Sequence, residues 1–109
     1  MKSVIHKFVL ERSRQQIRLE PEAVVMYADR DSRTENPAIW VRRCYPMNPT
    51  TSLRTFRVVA TGEPFEYAPG FRACGLVRMG ELIFHVFEEP MQSPIDESDP
   101  DRPSLAQVG

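Results

Sequence analysis

Glycine is scarce in this chain, with five residues in 109. A loop that cradles phosphate with its backbone needs several glycines close together, and no such run exists. Cysteine occurs twice, at Cys44 and Cys74, too few for a disulfide framework and spaced for neither a zinc knuckle nor a redox pair. Both are read as small apolar residues kept as thiols. Only two histidines are present, His6 and His85, and only two lysines, Lys2 and Lys7, beside twelve arginines. No window approaches the roughly 18 apolar residues of a membrane-spanning helix. Nor does the start show a charged segment followed by a long apolar run, so neither a membrane span nor a signal peptide is expected. Metal, cofactor and nucleophilic chemistry all need convergent ligands or a base beside a nucleophile. The sequence offers neither, so a catalytic role, a metal and a cofactor are not expected.

What is present is arginine and strand-forming sequence. The formal net charge of −1 hides an asymmetry. Residues 1–88 carry 13 Lys/Arg against 10 Asp/Glu, whereas residues 89–109 carry one Arg against five acids. That core is too weakly basic for a duplex nucleic-acid binder. From Pro90 onward, Pro94, Pro100 and Pro103 alternate with Asp96, Glu97, Asp99 and Asp101. With so little apolar area to offset its ordering entropy, 90–109 is read as a disordered acidic tail. The weighed alternative is that it covers a basic surface of the same chain or a neighbour.

The remaining residues, 1–89, read as one all-β domain. Strands are predicted over Val4–Leu10, Gln16–Leu19, Ala23–Ala28, Ala38–Tyr45, Arg54–Thr61, Phe71–Arg78 and Gly80–Glu89, from two-residue alternation bounded by turn residues. A bulge is expected near Gly75. Hairpins are expected between the third and fourth strands and between the last two, with a possible one between the first two. The last strand is apolar on both faces and is expected to be central and covered on both sides. The architecture predicted is a single compact antiparallel sandwich or half-open barrel of about six or seven strands. A small domain with exposed edges is further expected to form a homo-oligomer.

Three segments, Ile5-His6-Lys7-Phe8, Phe56 to Pro64 (FRVVATGEP) and Phe84-His85-Val86-Phe87-Glu88, resemble in order and spacing a family of small phage and prophage proteins classed as a domain of unknown function. Members of that family commonly carry histidine after the Thr-Gly and tryptophan before the His-Val-Phe-Glu. Here those positions are Glu63 and Phe84. The resemblance implies a bacteriophage origin and action in the host cytoplasm, and it implies no activity.

The candidate ligand-binding residues are Arg42, Arg43, Arg54 and Arg57, with Trp40 and Tyr67 as stacking surfaces and His85. Arginine forks suit phosphate oxygens, and aromatic rings suit bases. The four arginines flank one loop in sequence, which a solvated strand edge would also explain. The function expected is non-enzymatic: a phage accessory protein that counters host immunity by binding, with sequestration of a phosphate-bearing signalling nucleotide as the form considered first. Docking on a host defence protein is the alternative, and a minor virion or assembly component the third. His6, His85 and Glu88 would form the best catalytic or metal candidate if the first and last strands paired. The blander reading has both histidines satisfied by hydrogen bonds inside their strands.

Overall fold

The computed structural model describes residues 1–90, so the acidic segment beyond Pro90 lies outside the described residues. Seven strands follow one another: β1 (Lys2–Val9), β2 (Arg14–Leu19), β3 (Val24–Asp31), β4 (Asn36–Tyr45), β5 (Ser52–Ala60), β6 (Arg72–Met79) and β7 (Leu82–Glu88). They form two antiparallel sheets, one of order β1-β4-β3 and one of order β2-β5-β7-β6. No helix occurs among the described residues. The all-β prediction holds, and each of the seven predicted strands is found.

The alternation that predicts the strands also decides what they bury. On β5, Arg54, Phe56 and Val58 are buried and point between the sheets, while Thr55 and Arg57 take the other face. Phe56, Ile39, Val41, Val77, Val86 and Leu19 form the centre of one core drawn from both sheets. Each is shielded from water, at roughly 25 cal/mol per Å² of apolar surface removed.

β7 is an interior strand, paired with β5 on one side and β6 on the other. Its inward face, with Val86 and Glu88, is buried. Its outward face is covered by the chain between β5 and β6, where Phe65 stacks on Phe87 at 5.5 Å and Tyr67 and Phe71 close around it. Val59, beside this cluster on the outward face, is only 3% exposed. The inward face opens at the start of the strand, where Leu82 is exposed.

Two pairings that the sequence leaves open do not form. β1 and β2 do not form a hairpin, because the turn between them carries the chain from one sheet to the other. β1 and β7 also lie in different sheets, so His6 and His85 are not side by side. Alternation reports which residues share a face; it does not report which sheet a strand joins. The hairpins β3–β4 and β6–β7 form as predicted. The β6 register shifts between Ala73 and Gly75, which is the expected bulge. At Gly75 φ is +144°, and a Cβ there would stand 3.4 Å from the backbone nitrogen of Ala28 on β3. β3 and β6 thus approach closely where the two sheets meet, and the position suits glycine.

Truncating the central ring should therefore cost far more than truncating an exposed one. Phe56→Ala is expected to lose about 3–5 kcal/mol of stability in urea denaturation. Leu82→Ala should stay within about 0.5 kcal/mol. Equal losses would mean that the core is not centred on Phe56.

Candidate functional site

Strand parity distributes the seven candidate residues over three environments. Arg42 and Trp40 lie on the outward face of the β1-β4-β3 sheet. Arg43 and Arg54 point between the sheets. Arg57, His85 and Tyr67 belong to the outward face of the other sheet, where Arg57 stands opposite Phe87, and Tyr67 packs on that same ring. The loop after Tyr45 separates two strands of different sheets, so the arginines that flank it in sequence diverge in space.

Between the sheets the guanidinium groups are engaged. Arg54 donates from Nε and Nη2 to the two oxygens of Glu88 at 2.6 and 2.9 Å, and from Nη1 to the carbonyl of Ala23 at 2.8 Å. Arg43 donates to both oxygens of Glu20, each at 2.8 Å, and to Nδ1 of His6 at 3.1 Å. A guanidinium only donates, so His6 receives that bond on Nδ1 and carries its proton on Nε2. The Arg43 fork holds the wholly buried Glu20 carboxyl below its ordinary value, against the opposing effect of burial. Glu88 in turn raises the Arg54 value. Near this network Cys74 is pushed up to about 11, chiefly by burial. It is a thiol packed against the core rather than a nucleophile.

On the outward face of the β2-β5-β7-β6 sheet, Arg14 forks onto Glu89 at 2.8 and 3.1 Å, and Arg57 reaches the same carboxylate at 3.1 Å. Burial pushes the Glu89 carboxyl up, but the two arginines outweigh it and leave the group below its ordinary value. Arg57 Nε is buried and has no partner among the described residues. His85 Nε2 lies 2.8 Å from the Thr61 hydroxyl, which also donates to the Ile83 carbonyl at 3.2 Å. A hydroxyl has one proton, so the Ile83 carbonyl competes with His85 for it. The two histidines are thus each held by hydrogen bonds in separate places. Among the described residues no group of three or more His, Cys, Asp or Glu is arranged to hold a metal ion.

The third environment is open. Tyr27 stacks on Trp40 at 5.3 Å with the rings 18° apart, and Tyr27 is 47% exposed. Ile5 and Val24 flank Arg42 in the next row across the sheet and are also exposed. Arg42 is exposed and has no ion pair among the described residues. Sequence reasoning missed Tyr27, although counting back from the Asp31–Asn36 turn places it opposite Trp40. It also missed Glu20, Glu88 and Glu89 as the carboxylates that engage the candidate arginines, and Arg14 as a second arginine on Glu89. A cleft of about 330 Å³ opens at the end of the sandwich away from Arg54, over Leu10, Pro37, Val58, Met79 and Phe84, with Glu11, Glu35 and Glu63 along it. None of the seven candidates lines it, and its three carboxylates outnumber its one guanidinium, Arg12, which does not suit phosphate.

The fold and its faces define a small antiparallel β-sandwich with one open aromatic-cationic sheet face. The chain belongs to the family described as Domain of unknown function (DUF7352), whose model matches residues 1–96. Comparison with curated proteins and with solved structures gave no match.

Two measurements probe the charged groups. Glu88→Ala leaves Arg54 buried without its partner and should cost on the order of 3–5 kcal/mol, whereas replacing the pair together, Arg54→Met with Glu88→Leu, should be close to neutral or stabilising. Equal losses from the single and double variants would show that packing, not the unpaired charge, sets the cost.

Asp31 is held at about 2, from an ordinary 3.8, first by Lys7 and then by the Thr34 hydroxyl. Its folded value is depressed, so its contribution is complete above the ordinary carboxylate range and is lost as pH falls toward about 2. Asp31→Asn should accordingly show a smaller drop in urea midpoint than the parent between about pH 5 and pH 2. Parallel pH profiles would remove the Lys7–Asp31 pair from the stability of the fold.

Proposed function

We propose that the protein is a non-enzymatic accessory protein that acts by docking on another protein through the outward face of the β1-β4-β3 sheet. The observation that carries this reading is the exposed two-row patch in which Ile5, Arg42 and Val24 lie beside Lys7, Trp40 and Tyr27. Tryptophan, tyrosine and arginine are the residue types that most often carry interface binding energy. The patch is a sheet face rather than a cleft, which suits a protein surface better than a small ligand. Lys7 is already paired with Asp31 at 2.6 Å, so the cation on offer is Arg42. The fitting partner presents a carboxylate to Arg42 and apolar side chains to the rows around it. Resemblance to phage and prophage proteins supports a host defence protein as that partner and the host cytoplasm as the setting.

A second reading, sequestration of a signalling nucleotide, draws support from the shared face of Arg57, Tyr67 and His85. Two cations, Arg14 and Arg57, converge there on one carboxylate. The forks already hold Glu89, so a phosphate would have to displace it. The three other arginine candidates offer no joint site, since Arg43 and Arg54 are bound between the sheets and Arg42 lies on the far face.

The test is copurification from a bacterial host followed by reconstitution with the purified partner. Trp40→Ala or Arg42→Glu should weaken the reconstituted complex by about 2 kcal/mol or more, roughly 30-fold in Kd. Arg78→Glu, on the other sheet, should leave it unchanged. A complex indifferent to Trp40 and Arg42, joined to calorimetric heat from a nucleotide that Arg57→Ala abolishes, would replace docking by sequestration.

A further inference from the structure

We propose that β1 is a self-pairing edge, and that two copies of the chain join antiparallel through it into one six-stranded sheet. This goes beyond the docking reading and does not depend on it.

Of the four sheet edges, three are guarded. β3 carries a register shift between Val25 and Tyr27 and runs close to β6. β6 carries the bulge before Gly75. β2 is six residues long and sets Arg14, Gln16 and Arg18 along its outward face. Bulges and charged side chains are the usual means of preventing edge pairing. β1 is eight residues long, has no proline, and matches β4 without a shift from Lys2 to Val9; of its two lysines, Lys7 is paired with Asp31 and Lys2 stands at the strand's first position. No described strand lies against its other side.

Hydrogen bonds at the end of β1 fix which groups face outward. The Leu10 amide donates toward β4, to the Pro37 carbonyl at 2.8 Å. The Val9 carbonyl instead accepts from the Gln15 side chain at 3.1 Å, away from β4. Antiparallel alternation then turns the backbone groups of Ser3, Ile5 and Lys7 outward as well. A two-fold axis perpendicular to the sheet must pair odd residues with odd ones to keep both faces consistent. With the axis at Ile5, Ile5 meets its own copy, Ser3 meets Lys7, Val4 meets His6 and Lys2 meets Phe8. No like charges stand opposite one another, and the strand is used along nearly its whole length. Moving the axis to His6 would set His6 against its own copy and Ile5 against Lys7. The favoured register also brings the two Ile5 side chains, each 51% exposed, into contact on the open face.

Sedimentation equilibrium on the intact protein at high micromolar concentration is expected to give twice the 12.6 kDa chain mass. Ile5→Pro removes an outward amide and spares the β1–β4 ladder, so it should halve that mass. Ile5→Cys in a Cys44→Ser, Cys74→Ser background should form an intermolecular disulfide on mild oxidation, since facing Cα atoms in a hydrogen-bonded pair lie about 5.5 Å apart. A monomeric parent overturns the proposal. So does a dimer that survives Ile5→Pro, or one whose Ile5→Cys variant does not cross-link while Ile5→Lys leaves its mass unchanged.

Discussion

Arg54 is a full charge placed between two sheets, and the rest of the inward-facing polar structure follows from accommodating it. Strand parity gives it no choice, because Arg54 shares the inward face of β5 with Phe56 and Val58. A guanidinium there needs a partner for each of its three nitrogens. Glu88 supplies two acceptors from β7, and the carbonyl of Ala23, just before β3, supplies the third. One side chain thus ties β5 to β7 and both to the connection that crosses between sheets. Arg43 and Glu20 repeat the device from the other side, joining β4 to the residue that follows β2. Removing two ions from water costs several kcal/mol each, so these pairs add little net stability. They restrict the ways the sheets can dock, because a shifted packing would leave a buried charge alone.

The strands were legible because each has a two-residue period and a turn residue at its end. All seven appear, and so do the two hairpins whose turns are short or rich in turn formers. What the sequence hid is the assignment of strands to sheets. β1 and β2 are close in the chain and read as a hairpin, yet each finds its partner far along it, in β4 and β5. Such pairings depend on core complementarity, which no local window contains. The covering of β7 was legible only in part. Both faces are apolar, but the outward one is closed by Phe65, Tyr67 and Phe71 from a connecting segment rather than by a second sheet.

For the site, composition pointed to arginine and aromatics, and parity decides which of them can reach a ligand. Arg42 and Arg43 are neighbours in sequence and sit on opposite faces of β4. Arg54 and Arg57, three residues apart, also take opposite faces of β5. Whether a given arginine has a free fork depends on carboxylates that lie far away in sequence. Glu20 and Glu88 occupy the forks of Arg43 and Arg54, and Glu89, held by the fork of Arg14, also engages one nitrogen of Arg57. Each of these glutamates is buried, which a residue-type rule would not suggest.

Pairing through β1 would bear directly on how the open face binds. The face of one copy is two rows deep, with Ile5 at its margin and Tyr27 and Val24 at the opposite edge. Joined at Ile5, two such faces would become one surface with an Arg42 on each side of the axis. A partner that is itself two-fold symmetric could then engage both guanidinium groups at once. The second contact would be intramolecular, so a modest affinity per face would rise with no new residue type. That geometry gives a reason for a small domain to keep one long strand edge regular and unpaired while the three others are bulged or short.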